Sequence, residues 1–305
     1  MKTISYTALI VTLLALLGCS SLVQEVDTDN LPTVTPKMVV HCFISPQDTV
    51  LAVYVQAPRA ILGTNFTDNG GFFPTYSIQG SIVELSDGTK TVRLPGVGGM
   101  IPLYYGIDAR QFPIVAGRTY TLTVSNAYLS TITAQCTVPQ QVIPTELRID
   151  SLTRTQFGNP QTTYIGRLVW QDPAGQANYY TISGQDTKTS RYTTNGPQLN
   201  SMTNDLSFSS LPLVSDQGRD EQQFISPKAE RTLYFNPYEE IESLRFTMTL
   251  SNIDENYYRY RETVDRQGDA DENPFAEPVL VPSNIKGGYG CFGAYNQSTL
   301  TVKVR

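Results

Sequence analysis

The feature that most restricts the fold is a train of short segments in which apolar residues fall at every second position, each closed by Gly, Pro, Asn or Asp. Met38 to Ile44, Val50 to Gln56, Ser81 to Leu85, Thr91 to Leu94, Tyr120 to Ser125 and Thr131 to Val138 all follow it. A period of two sends alternate side chains to opposite faces, so each segment reads as a half-buried strand. No helical stretch separates them, and strands at this spacing close into an antiparallel sandwich. In Ser86-Asp87-Gly88-Thr89 the Asp-Gly pair predicts a two-residue hairpin, since a primed turn requires positive φ at its centre. Long Gly-rich loops are expected over 61–74 and 95–101.

Pro139 to Pro144 reads as a linker, after which a second strand series starts at Leu147. Leu168 to Gln171 and Tyr179 to Ser183 flank Asp172-Pro173-Ala174-Gly175, a turn sequence that predicts another hairpin. Thr193 to Arg219 is rich in Asn, Ser, Gly and Pro and is expected to be a long loop, and Arg245 to Leu250 is a strand. One helix is expected where Ile253, Tyr257, Tyr260 and Val264 share a face, with Ser251 as cap and Asp254 three positions on. The fold class is therefore all-β, with two sandwich-like domains over 37–140 and 141–305 and one short helix.

Lys2, the apolar run Tyr6 to Leu17 and Leu16-Leu17-Gly18-Cys19 form an export leader over 1–18 that ends in a lipobox. The run is too short to span a bilayer. Cleavage before Cys19 would free its thiol for diacylglycerol, and at ~0.8 kcal/mol per buried methylene two or three acyl chains hold stably. Residues 19–36, with Glu25, Asp27, Asp29, Pro32 and Pro36, then read as an acidic tether. Acidic residues exceed basic ones by 28 to 22 with no basic block, which argues against nucleic acid as a partner. An exported chain permits disulfides. Cys42 and Cys136 both fall at inward positions and could bridge if their strands are neighbours, or remain free core thiols; Cys291 has no evident mate.

Three stretches carry a family resemblance: Pro36-Lys37-Met38-Val39-Val40 after the lipobox, Trp170-Gln171-Asp172-Pro173 leading to Asn178-Tyr179-Tyr180, and Asn273-Pro274-Phe275 through Ser283-Asn284-Ile285-Lys286-Gly287-Gly288-Tyr289-Gly290-Cys291-Phe292-Gly293-Ala294-Tyr295. The chain resembles a Bacteroidota lipoprotein family catalogued as domain of unknown function 4249. The resemblance implies a lipid-anchored outer-membrane protein, an immunoglobulin-like first sandwich, a β-rich second domain and association with a TonB-dependent transporter. It carries no catalytic residues and leaves open which membrane face the protein occupies.

The residues offer little chemistry. Gly288-Tyr289-Gly290-Cys291-Phe292-Gly293 matches a dinucleotide fingerprint, but a strand-like run follows it where a helix is needed, so no cofactor is expected. Asn284, Gly287, Gly288 and Gly290 instead read as a structural clasp packed against Tyr257 and Tyr260, with glycines where a Cβ would block the turn. His41 is the sole histidine, which excludes two-His metal sites and leaves a hydrolase one possible base. Asp265, Asp269, Asp271 and Glu272 read as a solvated loop, and no metal is expected. Phe66, Phe72, Phe73, Tyr76, Tyr104 and Tyr105, placed in loops, suit recognition of a peptide, a glycan or another envelope protein, or else cover the sandwich ends. The leading expectation is a non-enzymatic binding or accessory lipoprotein of a TonB-dependent transporter. A structural or assembly lipoprotein with no ligand is the alternative, and a hydrolase comes third.

Overall fold

In the computed structural model the described residues are 37–56, 78, 80–98, 104–156, 158–192, 198–234, 236–271 and 280–305, with the backbone alone for 268–271. Cys19, the leader, the tether, and Phe66, Phe72, Phe73 and Tyr76 lie outside them. The first block forms β1 (Val39–Ile44), β2 (Val50–Gln56), β3 (Ile82–Ser86), β4 (Thr91–Leu94), β5 (Gly96–Val97), β6 (Tyr104–Asp108), β7 (Thr119–Ser125) and β8 (Ile132–Thr137). Their alternation works as the period demands: Val40, Cys42 and Ile44, Leu51, Val53 and Val55, Leu122 and Val124, and Ile132, Ala134 and Cys136 all turn into one core. Each such aliphatic side chain contributes about 1.5–3 kcal/mol by leaving water. The hairpin between β3 and β4 forms one residue later than expected: the Asp87 N–H donates to the Lys90 carbonyl at 3.1 Å, so Gly88 and Thr89 make the turn, with Gly88 supplying its positive φ.

The second block comprises β9 (Glu146–Gln156), β10 (Asn159–Gln171), β11 (Tyr179–Tyr192), β12 (Gln198–Asp205), β13 (Ser207–Phe208), β14 (Leu213–Ser215), β15 (Gln223–Ile225), β16 (Ala229–Tyr234), β17 (Glu239–Ile253), the helix α1 (Glu255–Asp271) and β18 (Tyr289–Lys303). Four expectations are corrected here. Asp172 to Gly175 is not a hairpin turn: β10 belongs to the five-stranded sheet and β11 to the nine-stranded one, so the chain crosses between sheets. The segment 193–219 contains β12, β13 and β14 instead of forming one loop. Ser251 lies inside β17, and the helix cap is Asp254, whose carboxylate accepts the Tyr257 N–H at 2.8 Å. Asp265, assigned to a loop, lies within α1.

One nine-stranded sheet, in the order β12-β11-β17-β18-β1-β2-β6-β5 with β14 also on β11, is common to both halves. The four-stranded sheet β4-β3-β7-β8 covers one end and encloses the first core; the five-stranded sheet around β10 covers the other and encloses a second core about Trp170, Tyr180 and Phe246. The described residues thus form one compact unit with two cores. β18 joins them: Tyr289 to Ala294 pair in parallel with β1, and Tyr295 to Lys303 pair antiparallel with β17. Ile285, Phe292 and Ala294 consequently pack in the first core, on the far side of the boundary at residue 140 from most of its members.

Cys42 and Cys136 share that core but are free, as is Cys291. β1 and β8 are not neighbouring strands but belong to the two facing sheets, and their thiols stand unbridged in the core between them.

Candidate functional site

Three cavities of about 410, 280 and 270 Å³ line up along β8 and run past the start of α1. Gln135 and Asn256 are common to the first two, while Thr137, Asp254 and Glu255 are common to the last two, so they form one groove. Most of the described residues that line it bear an amide or a hydroxyl, among apolar surface of at least equal extent: Thr121, Thr133 and Asn284 at one end, Gln140, Gln176, Asn178 and Asn252 at the other. Lys286 stands at the Asn284 end and Glu255 nearer the centre. Such a lining donates and accepts hydrogen bonds along an elongated polar ligand, and no member of it is set up as a nucleophile.

Asp254 anchors the groove's middle. Its carboxylate accepts N–H groups from Tyr257 and from Ala294 at 3.0 Å, while its own N–H donates to the Ala294 carbonyl at 2.9 Å. Burial outweighs these donors and pushes its carboxyl up to about 7, with Glu255 beside it acting in the same sense. The folded value exceeds the unfolded one of about 3.9, so the folded state holds the proton more tightly and this group's contribution to stability grows as pH falls from about 7 toward 4. Thermal melts of Asp254→Asn are expected to lose that part of the acid-side gain; an unchanged pH profile would assign the slope to other groups.

The glycine segment is structural in its geometry. Asn284 bridges Gln135 and Phe292: its amide donates to both carbonyls, at 3.2 and 2.7 Å, and its oxygen accepts the Phe292 N–H at 2.9 Å. Positive φ occurs at Gly287 and Gly290, whereas Gly288 is needed because a Cβ there would lie 2.7 Å from the Met38 carbonyl oxygen. From Tyr289 onward the segment is strand, not loop, and α1 packs on its outer side: the Phe43 and Tyr257 rings are 4.3 Å apart, and a Cβ on Gly293 would meet Tyr257 at 2.8 Å.

His41 sits on the same helix-covered face, 2.9 Å from the Tyr260 hydroxyl, and burial lowers its pKa. Cys291 is its register partner on β18, but that thiol contacts the Asn256 carbonyl oxygen at 3.7 Å and burial drives its pKa upward, away from the thiolate that nucleophilic catalysis requires. Tyr104 and Tyr105 lie in β6 and not in a loop; Tyr105 is buried, donating to the Ile78 carbonyl at 2.9 Å, and Tyr104 packs beside Tyr54. Neither Tyr104 nor Tyr105 is among the described residues that line the groove.

Among the described residues, Asp172, Asp216 and Asp220 are the carboxylates close enough to share a cation. They are engaged as loop ties. Asp172 accepts the Tyr180 hydroxyl and the Glu221 N–H, Asp216 accepts the Asn178 N–H at 2.7 Å, and Asp220 accepts the Gly175 N–H. They fasten the crossing at Asp172 to the segment 216–221, where Glu221 has a positive φ of 61°.

Gln135, Thr137, Gln140, Asn252 and Asn256 were not among the residues the sequence marked. One local signal pointed to them: Thr133, Gln135 and Thr137 are polar at alternate positions, and Pro139 continues their parity, as a strand bordering open space allows.

Fold and groove together define an all-β protein with a polar cleft and no assembled catalytic constellation among its described residues. The chain belongs to the family described as a domain of unknown function (DUF4249), whose sequence model matches residues 23–301. No curated protein matches it.

Proposed function

We propose that this is a lipid-anchored outer-membrane protein, non-enzymatic, whose groove along β8 holds a ligand or partner for a TonB-dependent transporter. The observation that carries the binding reading is the continuous run of amide and hydroxyl side chains from Asn284 to Gln140, beside a His41–Cys291 pair whose thiol burial keeps protonated. The lipobox at Cys19 supports the anchor.

Cys19→Ala is expected to shift the protein out of the membrane fraction or leave its leader uncleaved. Affinity capture of the native protein from detergent-solubilised membranes, read by mass spectrometry, is expected to recover a TonB-dependent transporter. A mature, membrane-held Cys19→Ala protein would overturn the anchor, and repeated capture without any transporter would overturn the association. Exposed Tyr234, Leu199 and Met202 favour a second reading, a structural or assembly role through protein contact alone. Under it, transporter capture persists when the groove is blocked by Asn256→Trp and fails when those exposed side chains are made polar.

A further inference from the structure

We infer that the groove is a peptide site, in which an extended polypeptide segment adds to β8 as a further strand; this rests on the groove being the binding surface. The hydrogen-bond parity of β8 carries the argument. Val138 turns its backbone toward β7's side, donating to the Arg118 carbonyl at 3.0 Å and accepting from Gly117 at 2.7 Å. Thr133 turns the other way and exchanges both bonds with Lys286, at 3.2 and 2.8 Å. Backbone groups alternate sides along a strand, so Gln135 and Thr137 also face outward, away from β7.

The outward row is only partly closed. Lys286 satisfies Thr133, and the Asn284 amide caps the Gln135 carbonyl at 3.2 Å. The Gln135 N–H and both the N–H and C=O of Thr137 have no partner among the described residues, and these two residues border the central cavity of about 280 Å³. Pro139 ends the row by lacking an N–H. An unpaired strand border inside a cleft, and not on the outer surface, is the arrangement that strand addition uses.

The repeat of the unpaired groups selects the ligand's chemistry. Outward groups on alternate residues recur every ~6.6 Å, the repeat of another extended backbone and not of a sugar chain. A glycan groove presents aromatic rings for the sugar faces, and the ring among the described residues lining this one, Tyr179, stands at its far end. Lys286 at the Gln135 end and Glu255 at the Thr137 end give the cleft a charge direction. The favoured peptide therefore carries an acidic residue toward Lys286 and a basic one toward Glu255.

The test uses the purified full-length mature chain and a positional library of fluorescein-labelled nine-residue peptides with Glu and Arg at varied spacing, read by fluorescence polarisation. The best peptide is then resynthesised with N-methyl groups on alternate amides in each of the two parities. One parity is expected to weaken binding about tenfold or more, the loss of one or two hydrogen bonds, and the other to leave it within about twofold. Thr137→Pro removes an unpartnered N–H together with the exposed hydroxyl bond to Thr119 at 2.8 Å, and is expected to weaken binding about tenfold with a small change in Tm, which Thr137→Ala, lacking only the hydroxyl bond, calibrates. If Thr137→Pro fails to fold, Asn256→Trp fills the cleft from exposed helix surface and is expected to abolish binding. No binding by any library member to about 1 mM, equal effects of both parities, or full binding by folded Thr137→Pro or Asn256→Trp would overturn the proposal, as would a chito-oligosaccharide probe that binds where peptides do not. Transporter capture that persists under any of these outcomes would reject the strand site and leave the accessory role standing.

Discussion

Gly290→Ala is expected to be the most damaging single-methyl change in the described chain. The residue has φ +108°, and a Cβ would lie 2.0 Å from the Val40 carbonyl oxygen and 2.8 Å from its carbon. The obstacle is backbone held by the parallel pairing of β1 with β18, so it cannot swing aside as a flexible side chain would. Strain at such a φ alone costs of order 1–3 kcal/mol. Parting the two strands adds exposure of Phe292 and Ala294, and at roughly 2–4 °C per kcal/mol for a chain of this size the fall in Tm should reach about 10 °C or more. Gly287→Ala is the control: its φ is also positive, at +85°, but its nearest contact is 3.3 Å, so a drop of only a few degrees is expected. Equal effects at the two positions would show that conformation, not close approach, sets the cost.

Arg231→Met is expected to rank next. Asp186 is fully buried in the second core, and the Arg231 guanidinium stands 3.0 Å away, at ion-pair distance though not aligned as a hydrogen bond. Burial raises the Asp186 pKa, and Arg231, the Asn204 side chain and Lys188 oppose it. Removing Arg231 leaves a buried carboxylate with the neutral Asn204 beside it and one opposing cation, Lys188, already paired with Glu239 at 2.5 Å. Breaking one partner of a buried pair costs about 3–5 kcal/mol, whereas Asp186→Leu with Arg231→Met should recover most of it. The single variant's deficit should shrink as pH falls, because its carboxyl takes a proton more readily folded than unfolded. Urea melts at pH 5 and pH 8 would show this, and a deficit equal at both would place the cost in lost packing of the arginine stem instead.

Six strands of the first block, β1 to β4, β7 and β8, were legible to within two residues, because Leu51, Val53 and Val55 or Ile132, Ala134 and Cys136 alternate against polar neighbours, whereas β5 and β6 fell in stretches read as loop. The second block was harder for a physical reason. β10 and β11 extend well past their apolar stretches into ends where hydroxyl pairs such as Thr163–Thr232 and Thr187–Thr203 run between strands at 2.9–3.1 Å. Threonine favours strands without producing hydrophobic alternation, so these ends looked like loop. The groove was less legible still. Gln135, Gln176, Asn252 and Asn284 come together only after β18 crosses to β1, and no local pattern records which strand ends a sheet. The clasp around Asn284 was visible in its glycines, while the particular demand at Gly290 depends on Val40, about 250 residues earlier in the chain.

The pairing of β18 with β1 also imposes an order on biogenesis. Residues 39–138 are synthesised well before residues 289–294, yet Phe292 and Ala294 complete the core that those early strands build. Until the late segment arrives, β1 has an unsatisfied border and the early core an uncovered apolar wall, which is the kind of surface that aggregates before folding is complete. Contacts this distant in sequence also close slowly. A stop codon placed a few residues before 289 would therefore leave the earliest-made part of the protein, not the latest, as the part that fails to mature.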